Sequence, residues 1–182
     1  MSTLPPLTLV LGGAASGKSS FAERAIRQSA PDLQKIYIAT AQAFDDEMHA
    51  KIAKHQRLRA ADGWHTHEDP LAVAARLNAA IAGQIILLDC ATLWLTNQLM
   101  ADADLDAASQ ELVTALAHCA ASVVVVSNEV GQGIVPEHAM SRRFREAQGQ
   151  LNQHIAREAQ LVVQVIAGLP LVLKGALPQG LS

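Results

Sequence analysis

The feature that most restricts how this chain can fold lies near its start. The apolar run "LTLVLG" (7–12) leads straight into "GGAASGKSS" (12–20), and a segment of helical character, 18–29, follows. The spacing is G-x-x-x-x-G-K-[ST], with Gly12, Gly17, Lys18 and Ser19 in the fixed positions and Gly13, Ala14, Ala15 and Ser16 between. A strand that ends in such a loop and restarts as a helix makes a phosphate cradle. The glycines let backbone N–H groups wrap an anion, and the helix N-terminus adds the positive end of its dipole. Lys18 is placed to reach β/γ-phosphates and the Ser19 hydroxyl to bind Mg²⁺. The plainer reading, a glycine-rich turn that only starts a helix, leaves the agreement of strand, motif and helix unexplained.

The rest of the chain fits a layered α/β fold. Short apolar runs recur at 35–40, 84–90, 122–128, 160–166 and 169–175. Continuous runs of this kind suit parallel strands covered on both faces. Helical patterns lie between them at 43–60, 69–82, 104–120 and 137–159, which implies βαβ units with helices on both faces of the sheet. Only "AGLP" separates the last two runs, so an antiparallel edge strand is expected there. Loops are expected at 60–69 and 100–104. With 182 residues, a single domain over 1–182 is the natural reading.

Composition narrows the function classes. The net charge is −3 and no long basic run occurs, which argues against a nucleic-acid binder. No apolar run approaches the ~20 residues of a membrane span. The N-terminus lacks a basic n-region, so a signal peptide is not expected. Two cysteines, Cys90 and Cys119, in apolar surroundings read as reduced thiols and hence as a cytoplasmic protein. Aromatics make up only 3% of residues, so Ala, Leu, Ile and Val must build the core.

Two further segments point to the same sheet edge. "IILLDC" puts Asp89 at the carboxyl end of a buried strand, where an acidic partner for the phosphate-bound magnesium belongs. Asp is also a favoured N-cap, and "ATLWLTNQL" after it is helix-like, so capping is the alternative role. "SNEVGQGIVPE" (127–137) follows a strand and enters a helix, carrying Asn128, Glu129 and Gly131. Ligands of open α/β sheets sit beyond the carboxyl ends of the strands, so these residues mark the crevice. The amphipathic segment 141–160 opens with basic residues; it reads as a solvated face, a subunit interface or a contact for phosphate or substrate.

The histidines do not form one set. "DDEMHAKIAKHQ" is helix-like, with Asp45 and Asp46 in its first turn and Met48, Ile52 and His55 on one face. On sequence grounds His55 is a helix-end residue or a nucleophile; neutral imidazole is nucleophilic near pH 7. His49 falls on another face, and His65 and His67 read as loop residues. A zinc triad of His55, His65 and His67 lacks a recognised ligand spacing. His118, His138 and His154 read as surface or helix residues.

Taken together, "LGGAASGKSSFAE", "YIATAQAFDDEMHAKIAKHQ", "WHTHEDP", "LLDCATLWLTNQL", "VVVSNEVGQGIVPEHAMSRRFREAQGQLNQ" and "GLPLVLKG" resemble the bifunctional adenosylcobinamide kinase / adenosylcobinamide-phosphate guanylyltransferase family, nearly end to end and in its order. Two departures stand out. Ala15 occupies the place of the family's usual arginine, and Arg59-Ala60 stands where Arg-Pro is common. The resemblance implies a RecA-type P-loop domain, a homotrimer, and two reactions on one substrate. A nucleoside triphosphate, ATP or GTP, phosphorylates the aminopropanol hydroxyl of adenosylcobinamide. GTP then donates GMP to that phosphate through a GMP–histidine intermediate. His55, seven residues after Met48, matches the family nucleophile. By the same resemblance Thr40, Ala41 and Gln42, the run Gln56, Arg57, Leu58 and Arg59, and Glu68 belong to the GTP site. Arg57 or Arg59 can grip phosphate oxygens bidentately, and Glu68 can accept hydrogen bonds from guanine. Two other functions fit parts of the pattern: a single-activity kinase in which His55 is structural, and a non-enzymatic nucleotide switch.

Overall fold

The computed structural model describes residues 3–42 and 62–181. Its strands are β1 (Leu7–Gly12), β2 (Gln34–Ala39), β3 (Trp64–Glu68), β4 (Gln84–Asp89), β5 (Ser122–Asn128), β6 (Leu161–Ile166) and β7 (Leu169–Lys174). The helices are α1 (Lys18–Ser29), α2 (Val73–Asn78), α3 (Ala91–Met100), α4 (Leu105–His118) and α5 (Ala139–Glu158). The strands form one sheet in the order β3-β2-β4-β5-β1-β6-β7. Every pairing is parallel except β6 with β7, the antiparallel hairpin anticipated from the short connection between them.

Strand alternation divides the core into two layers. Leu9, Ile38, Ile86, Leu88, Val123 and Val125 face α2, α3, α4 and α5. Val10, Tyr37, Leu87, Val124, Val126 and Val163 face the other way, against Phe21, Ala22, Ala25 and Ile26 of α1. Each fully buried aliphatic side chain contributes about 1.5–3 kcal/mol, so small β-branched residues packed on two faces make up for the shortage of aromatics. Trp94, 2% exposed, is the largest fully buried side chain, and its indole N–H donates to Leu71 O at 3.1 Å.

The structure corrects two boundaries. Residues 64–68, expected within a loop, form the edge strand β3, with Trp64 buried and His65 exposed. Its other positions are polar because an edge strand has one open side, so no apolar run announces it. His65 and His67 are therefore strand residues that share one face. The helix expected over 69–82 is only Val73–Asn78. Asp69 instead gives its N–H to Ala39 O and accepts the Arg76 Nε–H at 2.8 Å, which fixes the turn before α2. The helix expected over 43–60 lies outside the described residues.

Candidate nucleotide site

The parallel register brings five strand ends to one edge. Gly12 pairs with Asn128, Ala39 pairs with Asp89 on one side, and Ala39 pairs with Glu68 on the other. At strand spacings of about 4.8 Å, the backbones at Glu68 and Asp89 are roughly 10 Å apart. This edge is the crevice where open α/β sheets take ligands.

The phosphate loop leaves β1 with Gly12 buried and Gly13, Ala14 and Ala15 exposed. Space, not only flexibility, requires the first glycine. A Cβ on Gly12 would stand 2.4 Å from Ser16 Oγ and 2.8 Å from Val165 O. Ala15 sits at φ 54, a left-handed conformation that costs an L-residue on the order of 1–2 kcal/mol. The loop is held there from both sides. Ser16 N–H donates to Gly13 O, and Gly168 N–H of the β6–β7 turn donates to Ser16 O at 2.8 Å. Gly17, at φ 92, opens α1 with no side-chain cap, and the first turn of α1 carries no acidic residue. The helix therefore presents bare N–H groups and an uncompensated positive end to an anion. Lys18 Nζ lies across the loop, donating to Gly13 O at 3.0 Å, and Ser19 is half-buried in the first turn.

Asp89 ends β4 rather than capping α3. The N-cap is Cys90, whose Sγ accepts the Leu93 N–H. The Tyr37 hydroxyl donates to Asp89 Oδ2 at 2.8 Å, and no hydrogen bond among the described residues occupies Oδ1. Burial pushes the Cys90 thiol up to about 11. The Asp89 charge adds to the rise, while backbone N–H contacts from Leu93 and Thr92 and the Lys18 charge oppose it. Lys18 and Asp89 thus both act electrostatically on this one spot.

Thr40 joins the two strand ends. Its hydroxyl, fully buried, donates to Cys90 O and accepts the Cys90 N–H, both at 2.8 Å. Its own N–H reaches Asp89 O, and its carbonyl takes the Asn97 amide at 2.8 Å. All its polar groups are spent inside the protein, while Ala41 and Gln42 follow half-buried. Glu68 is exposed at the end of β3. His55, Gln56, Arg57, Leu58 and Arg59 lie outside the described residues.

The second loop is fixed by a buried polar cluster that sequence reasoning did not find. Ser127 Oγ donates to Asn152 Oδ1 at 2.7 Å and accepts the Gln148 amide at 3.0 Å. Asn152 Nδ2 donates to Asn128 O, and Asn128 N–H donates to Thr92 Oγ1. Glu129 N–H then donates to Gly12 O at 3.1 Å, tying this loop to the phosphate loop. The available signal was Gln148 and Asn152 on the apolar face of α5, where polar residues need a partner. The basic start of α5 holds the loop from outside. Arg142 donates to Pro136 O and Glu137 O, and Arg145 to Ile134 O and Gly131 O.

Comparison with known proteins agrees with this geometry. The archaeal flagellar accessory protein FlaH from Methanocaldococcus jannaschii superposes with a TM-score of 0.54 at 12% identity, covering 95% of this chain and 80% of that one, which shows a shared fold. The bifunctional adenosylcobalamin biosynthesis protein CobP of Pseudomonas aeruginosa is 47% identical over 170 residues, 92% of this chain and 96% of that protein. The bifunctional adenosylcobalamin biosynthesis protein CobU of Escherichia coli is 39% identical over 184 residues, 92% of this chain and 99% of that protein. A family model described as cobinamide kinase / cobinamide phosphate guanyltransferase matches residues 8–173. A phosphate loop on a P-loop sheet, matched to one family over most of its length, leads to one conclusion: the chain belongs to the cobinamide kinase / cobinamide phosphate guanyltransferase family.

Proposed function

We propose that this chain performs both transfers at the sheet edge described above, on adenosylcobinamide and then on its phosphate. The observation that carries this reading is the convergence of the phosphate loop, Asp89, Glu68 and the Asn128–Glu129 loop at one edge, in a member of this family. In the first transfer the substrate hydroxyl oxygen bonds to the γ-phosphorus of ATP or GTP. The bond to the β-phosphate oxygen breaks, and a nucleoside diphosphate leaves. In the second, a ring nitrogen of His55 attacks the α-phosphorus of GTP and pyrophosphate departs. The phosphate of the corrinoid then displaces His55, giving adenosylcobinamide-GDP and restoring the imidazole.

The chain supplies a role for each charge that develops. The bare N-terminus of α1 and Lys18 offset negative charge on transferred and departing phosphates. Ser19 and Asp89 would hold Mg²⁺. Their fit is supported by the donor chemistry, two hard oxygens at one sheet edge, and by Asp89 Oδ1 standing clear of the Tyr37 hydrogen bond. Mg²⁺ bound there neutralises phosphate charge. Glu68 accepts hydrogen bonds from the guanine edge, and Arg57 or Arg59 grips phosphate oxygens. Ala41, Gln42, Gln56 and Leu58 complete the nucleotide pocket, with Thr40 bracing it from beneath. Two free thiols support a reducing, cytoplasmic setting. No helix among the described residues is long and apolar enough to cross a membrane. The exposed side chains of Ile166, Leu169 and Leu171 on the β6–β7 hairpin support assembly, here taken as a homotrimer.

Intact-protein mass spectrometry after incubation with GTP and Mg²⁺ tests this reading. The expected result is a gain of one GMP, mapped to the peptide holding His55 and lost in His55→Ala. Label that persists in His55→Ala would remove His55 as nucleophile. Phosphate transfer without any adduct would reduce the protein to a single-activity kinase.

A further inference from the structure

Two hollows flank α5 and meet at Gly149 and Gln153. The inner one, about 410 Å³, runs from Leu11 and Glu129 to Leu173. The outer one, about 460 Å³, lies under the 131–136 loop that Arg142 and Arg145 hold in place. Gly149 sits deep inside a 20-residue helix, where glycine is a poor choice. Its φ is not in the left-handed region, and a Cβ placed on it would meet nothing within 4 Å. Neither backbone conformation nor close packing therefore requires glycine here. What its missing side chain leaves is open space where the two hollows join.

We propose that this double groove is the acceptor site, which holds the corrinoid ring with its reactive arm directed at Glu129. The proposal rests on the two-transfer reading above. The inner hollow begins at Leu11, one residue before the phosphate loop, and Glu129 is tied to Gly12 by its own N–H. A hydroxyl at Glu129 is therefore next to the phosphate cradle. Glu129 Oε1 is taken by the Gly131 N–H, which leaves Oε2 to accept the hydroxyl's hydrogen. The walls match a large ring with apolar faces and a carboxamide rim. Leu11, Val162, Leu173 and Val135 supply apolar surface, and Gln150 and Gln153 supply amides.

Equilibrium dialysis with cobinamide, followed by its visible absorbance, tests the site in Gly149→Ala and Gly149→Leu. Graded loss is expected: a few-fold weaker binding for Ala and at least about tenfold for Leu. Folding should move the other way, with the Ala variant melting about 2–4 °C higher. A Leu variant that keeps its melting temperature and binds cobinamide within about twofold of wild type would overturn the proposal. So would a change in sedimentation that accompanies the loss, since a second copy of the chain would then occupy the groove. If the wild type retains no cobinamide yet still forms the GMP adduct, the groove assignment falls while the His55 chemistry stands.

Discussion

Thr40→Val is the sharpest perturbation of the frame beneath the nucleotide site. Valine keeps the shape of threonine and puts a methyl in place of the hydroxyl, at a position with no solvent exposure. Cys90 O keeps a partner, because the Trp94 N–H also donates to it. The Cys90 N–H loses its acceptor at 2.8 Å in a buried setting. An orphaned buried donor costs about 1–3 kcal/mol, so a loss of about 2 kcal/mol is expected. Thr40→Ser provides the control. It keeps both hydrogen bonds and gives up one buried methyl, about 1 kcal/mol. Urea unfolding followed through Trp64 and Trp94 fluorescence measures both, and Val should cost more than Ser. Because Thr40 also joins the ends of β2 and β4, the Val variant should bind GTP more weakly, whereas Ser should not. A Val variant as stable as wild type, or less damaging than Ser, would refute the brace.

Gly12→Ala should fold but lose nucleotide binding, because the new methyl meets a backbone oxygen, Val165 O, at 2.8 Å and the loop must shift; unaltered GTP affinity in a titration would contradict that geometry. The Cys90 thiol gives a pH dependence of definite sign. Its value in the fold is raised to about 11 from 9.0, so the unfolded chain loses this proton first as pH rises. The stabilisation is complete below pH 9 and is lost as pH climbs towards 11. The two-unit gap corresponds to about 2–3 kcal/mol. The stability curve of Cys90→Ala, which lacks this titration, should be flatter than wild type over that window, and parallel curves would exclude the effect.

Local pattern was enough for most of the fold. The β1–loop–α1 unit, the buried strands β4 and β5 and the β6–β7 hairpin are legible because they rest on short-range rules: continuous apolar runs, glycine spacing and connection length. Gly12, Thr40, Asp89 and Asn128 at the strand ends are legible for the same reason, since a strand's polarity fixes which end faces the crevice. The edge strand β3 escaped because a strand open on one side needs no apolar run. The Ser127–Gln148–Asn152 cluster, the tie from Glu129 to Gly12 and the Thr40–Cys90 brace join residues far apart in the chain. No local rule reports such pairings, because burial makes them obligatory only after the sheet and α5 have packed. Sequence by itself determined that this chain has a phosphate loop at the edge of a parallel sheet. Tertiary structure alone decided which side chains at that edge are spent holding it together, because their partners meet only when the sheet and α5 pack.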